Sequence, residues 1–243
     1  MYLKNNRIKF NNKKINKLGC IIFARLASKR LKNKALLEIN NVPLILIIYK
    51  RVLKIFPKKK IVVATSNNKS DDKLVKFCKK NKINFFRGDL RNVHKRAVEC
   101  CIKFKFSSFL RVCADRPYIH YKLAKKMKTE FNTGKFDIVT NTFPKTFPKG
   151  LTCEIIDLNA FSKINSKKFK DTDREHILNY FYRNFKDYKI KNFCSRLDKK
   201  FYNMNLAIDN KKDFLRTKLI FNQKKFNPLI TAKEAILLTR NLN

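Results

Sequence analysis

Gly19-Cys20-Ile21-Ile22-Phe23-Ala24 runs directly into Arg25-Leu26-Ala27-Ser28-Lys29-Arg30-Leu31-Lys32-Asn33-Lys34, and this junction decides the fold. Six apolar residues without a polar interruption read as a strand buried on both faces, because such a strand has no solvent side to alternate toward. The cationic stretch behind it is the connection leaving that strand's carboxyl end. From Pro43 the period changes: Leu44, Ile47, Ile48, Val52 and Ile55 recur at helical spacing in a stretch reaching Phe56. Lys60-Ile-Val-Val-Ala-Thr65 is expected as a second buried strand and Asp71 to Asn81 as a helix, with Asp71 and Asp72 at the end where the macrodipole favours anions. Ile83 to Phe86, Ser108 to Cys113 and Phe136 to Thr140 read as further strands, with helices over Asn92 to Lys103 and Ile119 to Phe131 between them.

Strands alternating with helices at this spacing predict βαβ units, hence an α/β fold: a mainly parallel sheet with helices on both faces. After Asn141 the rhythm changes. Phe143-Pro-Lys-Thr-Phe-Pro148 is a connector, Leu151 to Ile156 a candidate strand, Asp173 to Phe185 a polar helix, Phe201 to Ile208 strand-like, and Thr231 to Leu242 a closing helix with Thr231 as N-cap. The organisation expected is a basic N-terminal extension, 1–17, and one domain, 18–243.

Composition narrows the function. Of 243 residues 44% are apolar and 31% charged, enough to bury a core, and the longest apolar run, Val42 to Tyr49, is far too short to cross a membrane. The N-terminus is basic but no apolar segment of a secretory signal follows. Four glycines exclude a Gly-rich phosphate loop and a G-x-G-x-x-G fingerprint. Seven cysteines without a C-x-x-C pair or zinc spacing are expected as reduced thiols of a cytoplasmic protein. With 58 basic and 18 acidic residues the net charge is +40, which fits a basic nucleic-acid-binding module. The charges are spread along the chain rather than gathered, which favours A/T-rich codon bias with an anionic small-molecule ligand over a polynucleotide binder.

In an open parallel sheet, ligands gather beyond the carboxyl ends of the strands. The candidates there are Ala24, Arg25, Ser28, Arg30 and Lys34, then Thr65 and Ser66, then Arg87, Gly88 and Asp89, then Asp115. A loop of cations can hold phosphate oxygens where no glycine loop can wrap them, Arg bidentately. Asp115 is a candidate Mg²⁺ ligand; the alternative is a turn residue before Pro117 with Arg116 as ion-pair partner. Asp209 closes Leu206-Ala-Ile208 in the same manner and is a candidate second ligand. Arg174-Glu175-His176 is a polar triplet in which His176 could act as base or hydrogen-bond donor. Gly88 is read as supplying a turn dihedral. His94 and His120 are read as having no chemistry.

Ala24-Arg25-Leu-Ala-Ser28-Lys-Arg30-Leu-Lys-Asn-Lys34-Ala-Leu36 resembles the nucleotide loop of cytidylyltransferases of the spore-coat-polysaccharide type, relatives of acylneuraminate cytidylyltransferases. Ile61 to Ser66 followed by Asp71-Asp72, Phe86-Arg-Gly-Asp89, Arg111 to Pro117, Phe147 to Leu151 with Glu154, Arg174-Glu-His176 and Ala207-Ile-Asp209 continue the resemblance in order. It implies a nucleotide-diphospho-sugar transferase fold of Rossmann-like type, with a nucleotide half over about 18–140 and an acceptor-sugar half over about 141–243. It also implies CMP transfer from CTP to an acidic sugar, with pyrophosphate released, by a homodimer using Mg²⁺ on Asp115 and Asp209. Arg25, Arg30 and Lys34 would stabilise the leaving pyrophosphate, and Ser28 would hold triphosphate oxygens. Thr65, Ser66 and Arg87 to Asp89 would lie near the nucleoside. Glu154, Arg174, Glu175 and His176 would face the sugar. The family's Pro-Gly in the first loop is Lys32-Asn33 here, where Asn33 can take a left-handed bend; its Gly before the metal Asp is Ala114, and its Pro-Glu-Asp after the second Asp is Asn210-Lys-Lys-Asp213. These departures leave open a non-catalytic sugar-nucleotide-binding relative.

Overall fold

Leu18–Phe23 forms strand β1, every residue buried, as a six-residue apolar run requires. The computed structural model describes residues 17–28, 30–164, 169–174 and 176–242, so the expected extension lies, Lys17 apart, outside the described residues, as do Lys29 and Glu175. A small hairpin follows, β2 (Glu38–Ile39) against β3 (Val42–Pro43), then α1 (Leu44–Val52), β4 (Ile61–Ser66), α2 (Asp72–Lys80), β5 (Asn84–Gly88) and α3 (Val93–Lys103). The chain continues as β6 (Ser108–Cys113), α4 (Tyr121–Phe131), β7 (Ile138–Thr140), β8 (Glu154–Asp157), α5 (Leu158–Ser162), α6 (Asn179–Arg183), β9 (Ile190–Asn192), α7 (Lys211–Gln223) and α8 (Ala232–Asn241).

The main sheet has the order β5-β4-β1-β6-β8-β7-β9. β5, β4, β1 and β6 are parallel, whereas β8 runs against both β6 and β7. The expected α/β architecture is therefore present, with one reversed strand. One face of the sheet packs Ile22, Val63, Leu110 and Ile155 against α1, α2 and α4. The other packs Ile21, Val62, Phe109 and Ile156 against α3, α5 and α6. A third cluster seats α7 and α8 beside α1 through Ile47, Phe221 and Ile236. Arg51 joins these parts: fully buried, it donates to Ile119 O, Pro228 O and Ile230 O, and burial lowers its pKa to about 10.

Two expected elements differ. In place of a helix over 173–185 there is a 3₁₀ turn at Asp171–Arg174 and the short α6, with buried Asp173 held by Arg183 between them. Among the described residues the strand-like run to Ile208 makes a single bridge, Lys149 with Asn205, because Leu206 and Ile208 are buried by packing rather than by a ladder. The helix at 211–223 was not expected. It is opened by a capping box in which Asn210 and Asp213 satisfy one another's backbone amides. The Thr231 cap and its helix are as expected.

Candidate active site

The loop after β1 is fixed by a residue from another strand end. Asp71, fully buried, accepts from the Leu26 amide at 2.7 Å and the Ser66 amide at 3.0 Å, and from the Ser66 hydroxyl. Burial opposes its ionisation, but these bonds outweigh it and hold the carboxyl below its ordinary pKa of 3.8. One carboxylate thus ties the start of the cationic loop to the end of β4, while Ala24 donates to Ala64 O at 3.1 Å. Asn33 adopts φ 55°, ψ 18°, so the bend survives without glycine, and its amide closes on Leu26 O at 3.0 Å. Ser28 is half-buried within this turn, and Arg25 is exposed.

The far end of the loop reaches the two acidic candidates. Lys34 Nζ lies 3.2 Å from Asp115 Oδ2 and donates to Ile208 O at 3.0 Å. Arg30 Nη2 donates to Asp209 Oδ1 at 3.0 Å, and Lys149 Nζ grips Asp209 Oδ2. Asp115 and Asp209 are themselves drawn together, for the Ile208 amide donates to Asp115 O at 2.8 Å. Asp209 is seated from behind by its own amide bonding to Asp213 Oδ2 at 3.0 Å, so Asn210-Lys-Lys-Asp213 is a working support for this carboxylate. Burial raises the pKa of Asp209, but Lys149, Arg30 and Lys34 together hold it below its ordinary value.

Of the residues expected near a nucleoside, Thr65 and Ser66 end β4 opposite Arg87 and Gly88. Ser66 spends its hydroxyl on Asp71. Arg87 is committed to Ser66 O, Asn68 O and Asp72. Asp89 accepts from the amides of Arg91 and Asn92, each at 2.8 Å, at the entrance to α3. Gly88 is a correction: it has no positive φ, and its need for glycine is close approach, since a Cβ would stand 2.9 Å from Arg96 Cγ. Arg96, almost fully buried, donates to Asp89 O, and burial together with the like charge of Arg25 outweighs the attraction of Asp71 and lowers its pKa.

Among the residues expected to face an acceptor, Glu154 is buried at the start of β8, paired with Arg111 at 3.1 Å and accepting from Thr142 Oγ1 at 3.2 Å. Arg116 does not pair with Asp115 but donates from Nη1 to Thr152 O at 2.6 Å and Thr152 Oγ1 at 2.7 Å. Tyr182 of α6 closes the group through Thr140 at 3.0 Å, and its hydroxyl pKa is raised by burial and by Glu154. Arg174 and His176 are exposed residues leading into α6, and no hydrogen bond or ion pair among the described residues joins their side chains to Glu154; Glu175 lies outside the described residues. Lys149, Arg111, Arg116 and Asp71 thus join the candidate site through contacts that the motifs contained without marking. Their roles rest on contacts between distant segments.

The Mg²⁺ that the resemblance implies can be tested against these donors. Among the described residues no group of three or more His, Cys, Asp or Glu side chains could hold a metal ion, and the candidate donors at this site are the two carboxylates Asp115 and Asp209. That donor set fits Mg²⁺, which takes one or two carboxylates and completes its shell with phosphate oxygens and water. The cysteines are free thiols, five of them buried, and burial raises the pKa of Cys20, Cys78, Cys100, Cys101 and Cys153.

A cationic loop at the carboxyl edge of a parallel sheet, facing two carboxylates from later segments, defines a nucleotidyltransferase. The sequence matches the cytidylyltransferase family over residues 19–235, and the chain belongs to that family. It is 30% identical over 194 residues to the uncharacterized protein MJ1063 of Methanocaldococcus jannaschii, covering 80% of this chain and 79% of that one. It is 27% identical over 234 residues to the spore coat polysaccharide biosynthesis protein SpsF of Bacillus subtilis, covering 93% and 96%. A cytidylyltransferase structure from Leptospira borgpetersenii superposes with a TM-score of 0.84 at 25% identity, covering 93% and 94%. A CMP:2-keto-3-deoxy-manno-octonic acid synthetase complexed with CTP shares the fold, with a TM-score of 0.63 at 13% identity, covering 86% and 99%. The fold is that of the nucleotide-diphospho-sugar transferases.

Proposed function

We propose that the protein transfers CMP from CTP to an acidic sugar, releasing pyrophosphate, in the synthesis of a surface polysaccharide. The observation that carries this reading is the adjacency of Asp115 and Asp209, each in contact with a cation of the first loop. The relatedness to SpsF supports the polysaccharide context, and the fold shared with a synthetase acting on an acidic octonic sugar supports the acceptor class.

On this reading an acceptor hydroxyl oxygen forms a bond to the α-phosphorus of CTP. The bond from that phosphorus to its bridging oxygen breaks, the electron pair leaves with pyrophosphate, and the hydroxyl proton passes to solvent. Asp115 and Asp209 would hold magnesium, which when bound would supply positive charge to offset the phosphates. Arg25, Arg30 and Lys34 pair with triphosphate oxygens and stabilise charge on the departing pyrophosphate. Ser28 and the loop amides orient the phosphates, and Asp71 keeps the loop in register with β4. Arg116, beside Asp115 and seated on neutral Thr152, meets the carboxylate of the acceptor, with Arg111 and Glu154 setting its position.

The test is pyrophosphate release from CTP and Mg²⁺ with a panel of ulosonic acids. At least one acid should support release, and Asp115→Asn should lower it about a hundredfold or more, the scale of losing a key electrostatic group. Absence of release with every acid removes the acidic-acceptor reading. Full activity in Asp115→Asn removes the carboxylate assignment.

A further inference from the structure

Lys149 combines a strictly placed backbone with an ion pair that contributes little to the fold. Its amide donates to Met204 O at 3.0 Å and its carbonyl accepts from Leu206 N at 2.7 Å, which builds the residue into the segment leading to Asp209. The next residue, Gly150, sits at φ +99°, where a Cβ would lie 2.6 Å from both Ala207 N and Leu206 C. Only glycine permits that approach. Yet the Lys149 side chain that this backbone aims is 50% exposed, and Arg30, on the other oxygen of the same carboxylate, is 65% exposed. Ion pairs so open to water are readily exchanged.

The local charge explains what they exchange for. Arg30, Lys34 and Lys149 are three cations on the two carboxylates Asp115 and Asp209, which leaves an excess positive charge. A divalent cation arriving alone would have to displace Lys149 and Arg30 from Asp209 and raise that excess further. A triphosphate arriving with it gives the displaced cations new partners.

We propose that Lys149 is a further phosphate-handling cation beside Arg25, Arg30 and Lys34, parked on Asp209 in the free protein and moved to phosphate oxygens when magnesium and CTP enter together. The inference rests on the magnesium–CTP reading above but is independent of the acceptor sugar. It makes the two ligands interdependent: each binds poorly without the other because the same side chains block one site and serve the other.

Isothermal titration of the full chain with CTP, in the presence and absence of Mg²⁺, and with Mg²⁺ alone, tests this. The parent should bind CTP at least tenfold more tightly with Mg²⁺, within the 5- to 150-fold span usual for coupled sites. Lys149→Ala should bind Mg²⁺ alone more tightly than the parent and Mg²⁺ with CTP less tightly, so that the coupling factor falls about tenfold. Lys149→Arg should restore it. Lys224→Ala, which removes a lysine paired with Glu234 in the α7–α8 region, should leave the coupling unchanged and so controls for lost charge. A merely structural Lys149 would weaken both titrations of Lys149→Ala together, and that result overturns the proposal, as does an unchanged coupling factor. Failure of the parent to bind CTP under either condition overturns the nucleotide reading itself, a distinguishable outcome.

Discussion

Ile208 gives its amide hydrogen to the carbonyl oxygen of Asp115 at 2.8 Å, and Lys34 reaches the same two residues, through Asp115 Oδ2 and Ile208 O. The end of a central strand and a segment far along the chain are thereby joined twice, once by backbone and once by a loop cation. Asp209 follows directly, so its backbone is brought to the end of β6 beside Asp115 without a strand to carry it.

The first loop should depend on Asp71. In Asp71→Asn one carboxylate oxygen becomes an amide that cannot accept from both Leu26 and Ser66, leaving a buried donor unpaired at about 1 to 3 kcal/mol. The Asp71 pKa is depressed in the folded protein, so its contribution is complete above the ordinary value of 3.8 and is lost as pH falls through the lower, folded value. Urea unfolding should therefore show a parent–variant gap at neutral pH that closes in acid, together with weaker CTP binding in the variant.

Gly150→Ala should disturb both stability and site. A left-handed φ and a Cβ within 2.6 Å of backbone cannot be relieved by side-chain movement, so a cost of about 2 to 3 kcal/mol is expected. Denaturant unfolding reads the cost. Gly134→Ala, also at positive φ but with open space around its Cβ, should cost less.

Acceptor and nucleotide should separate kinetically at Arg116. Arg116→Lys retains charge but cannot reproduce the planar contact with Thr152. The acceptor KM should rise about tenfold or more while the KM for CTP stays within a factor of two, measured by pyrophosphate release. A matched rise in both would place Arg116 on the nucleotide instead.

His120 should give the protein a mildly acidic stability limit. Burial, with Arg51, Lys122 and Lys126 nearby, lowers its pKa from 6.5 to about 4. A lowered histidine pKa means that stability is complete above 6.5 and declines as pH falls toward 4, because the unfolded chain takes the proton first. His120 Nδ1 accepts from the Leu123 amide at the start of α4, and His120→Asn keeps a capping acceptor while removing the titration. Its Tm should fall less than the parent's between pH 6.5 and 4.

Much of this architecture could be read from apolar runs alone. Ser108–Cys113 was legible to the residue, because a strand buried on both faces carries its own boundaries. The helix at Thr231 was legible because a capping box is a local signal. Asp71 was read as a helix-start anion, whereas its bonds run to Leu26 and Ser66, and a sequence does not display which strand ends meet. The helix at 211–223 was missed because its cap, Asn210 with Asp213, was read as a departure from a motif rather than as a start signal. Phe201 to Ile208 was misread because burial of Leu206, Ala207 and Ile208 produces the same apolar run whether a ladder or loose packing buries it.

The reversal of β8 has a consequence for how such a catalyst can diversify. Because β8 enters the sheet at the end where β6 leaves it, Glu154 meets Arg111 there, and on the proposed reading the chain between β7 and β8 would border the acceptor. That span can be lengthened, shortened or exchanged between homologues without touching the parallel strands β5, β4, β1 and β6. Grafting 141–153 from one relative into another is thus a route to a new sugar preference on an unaltered nucleotide platform, provided that Lys149 and Gly150 travel with the graft.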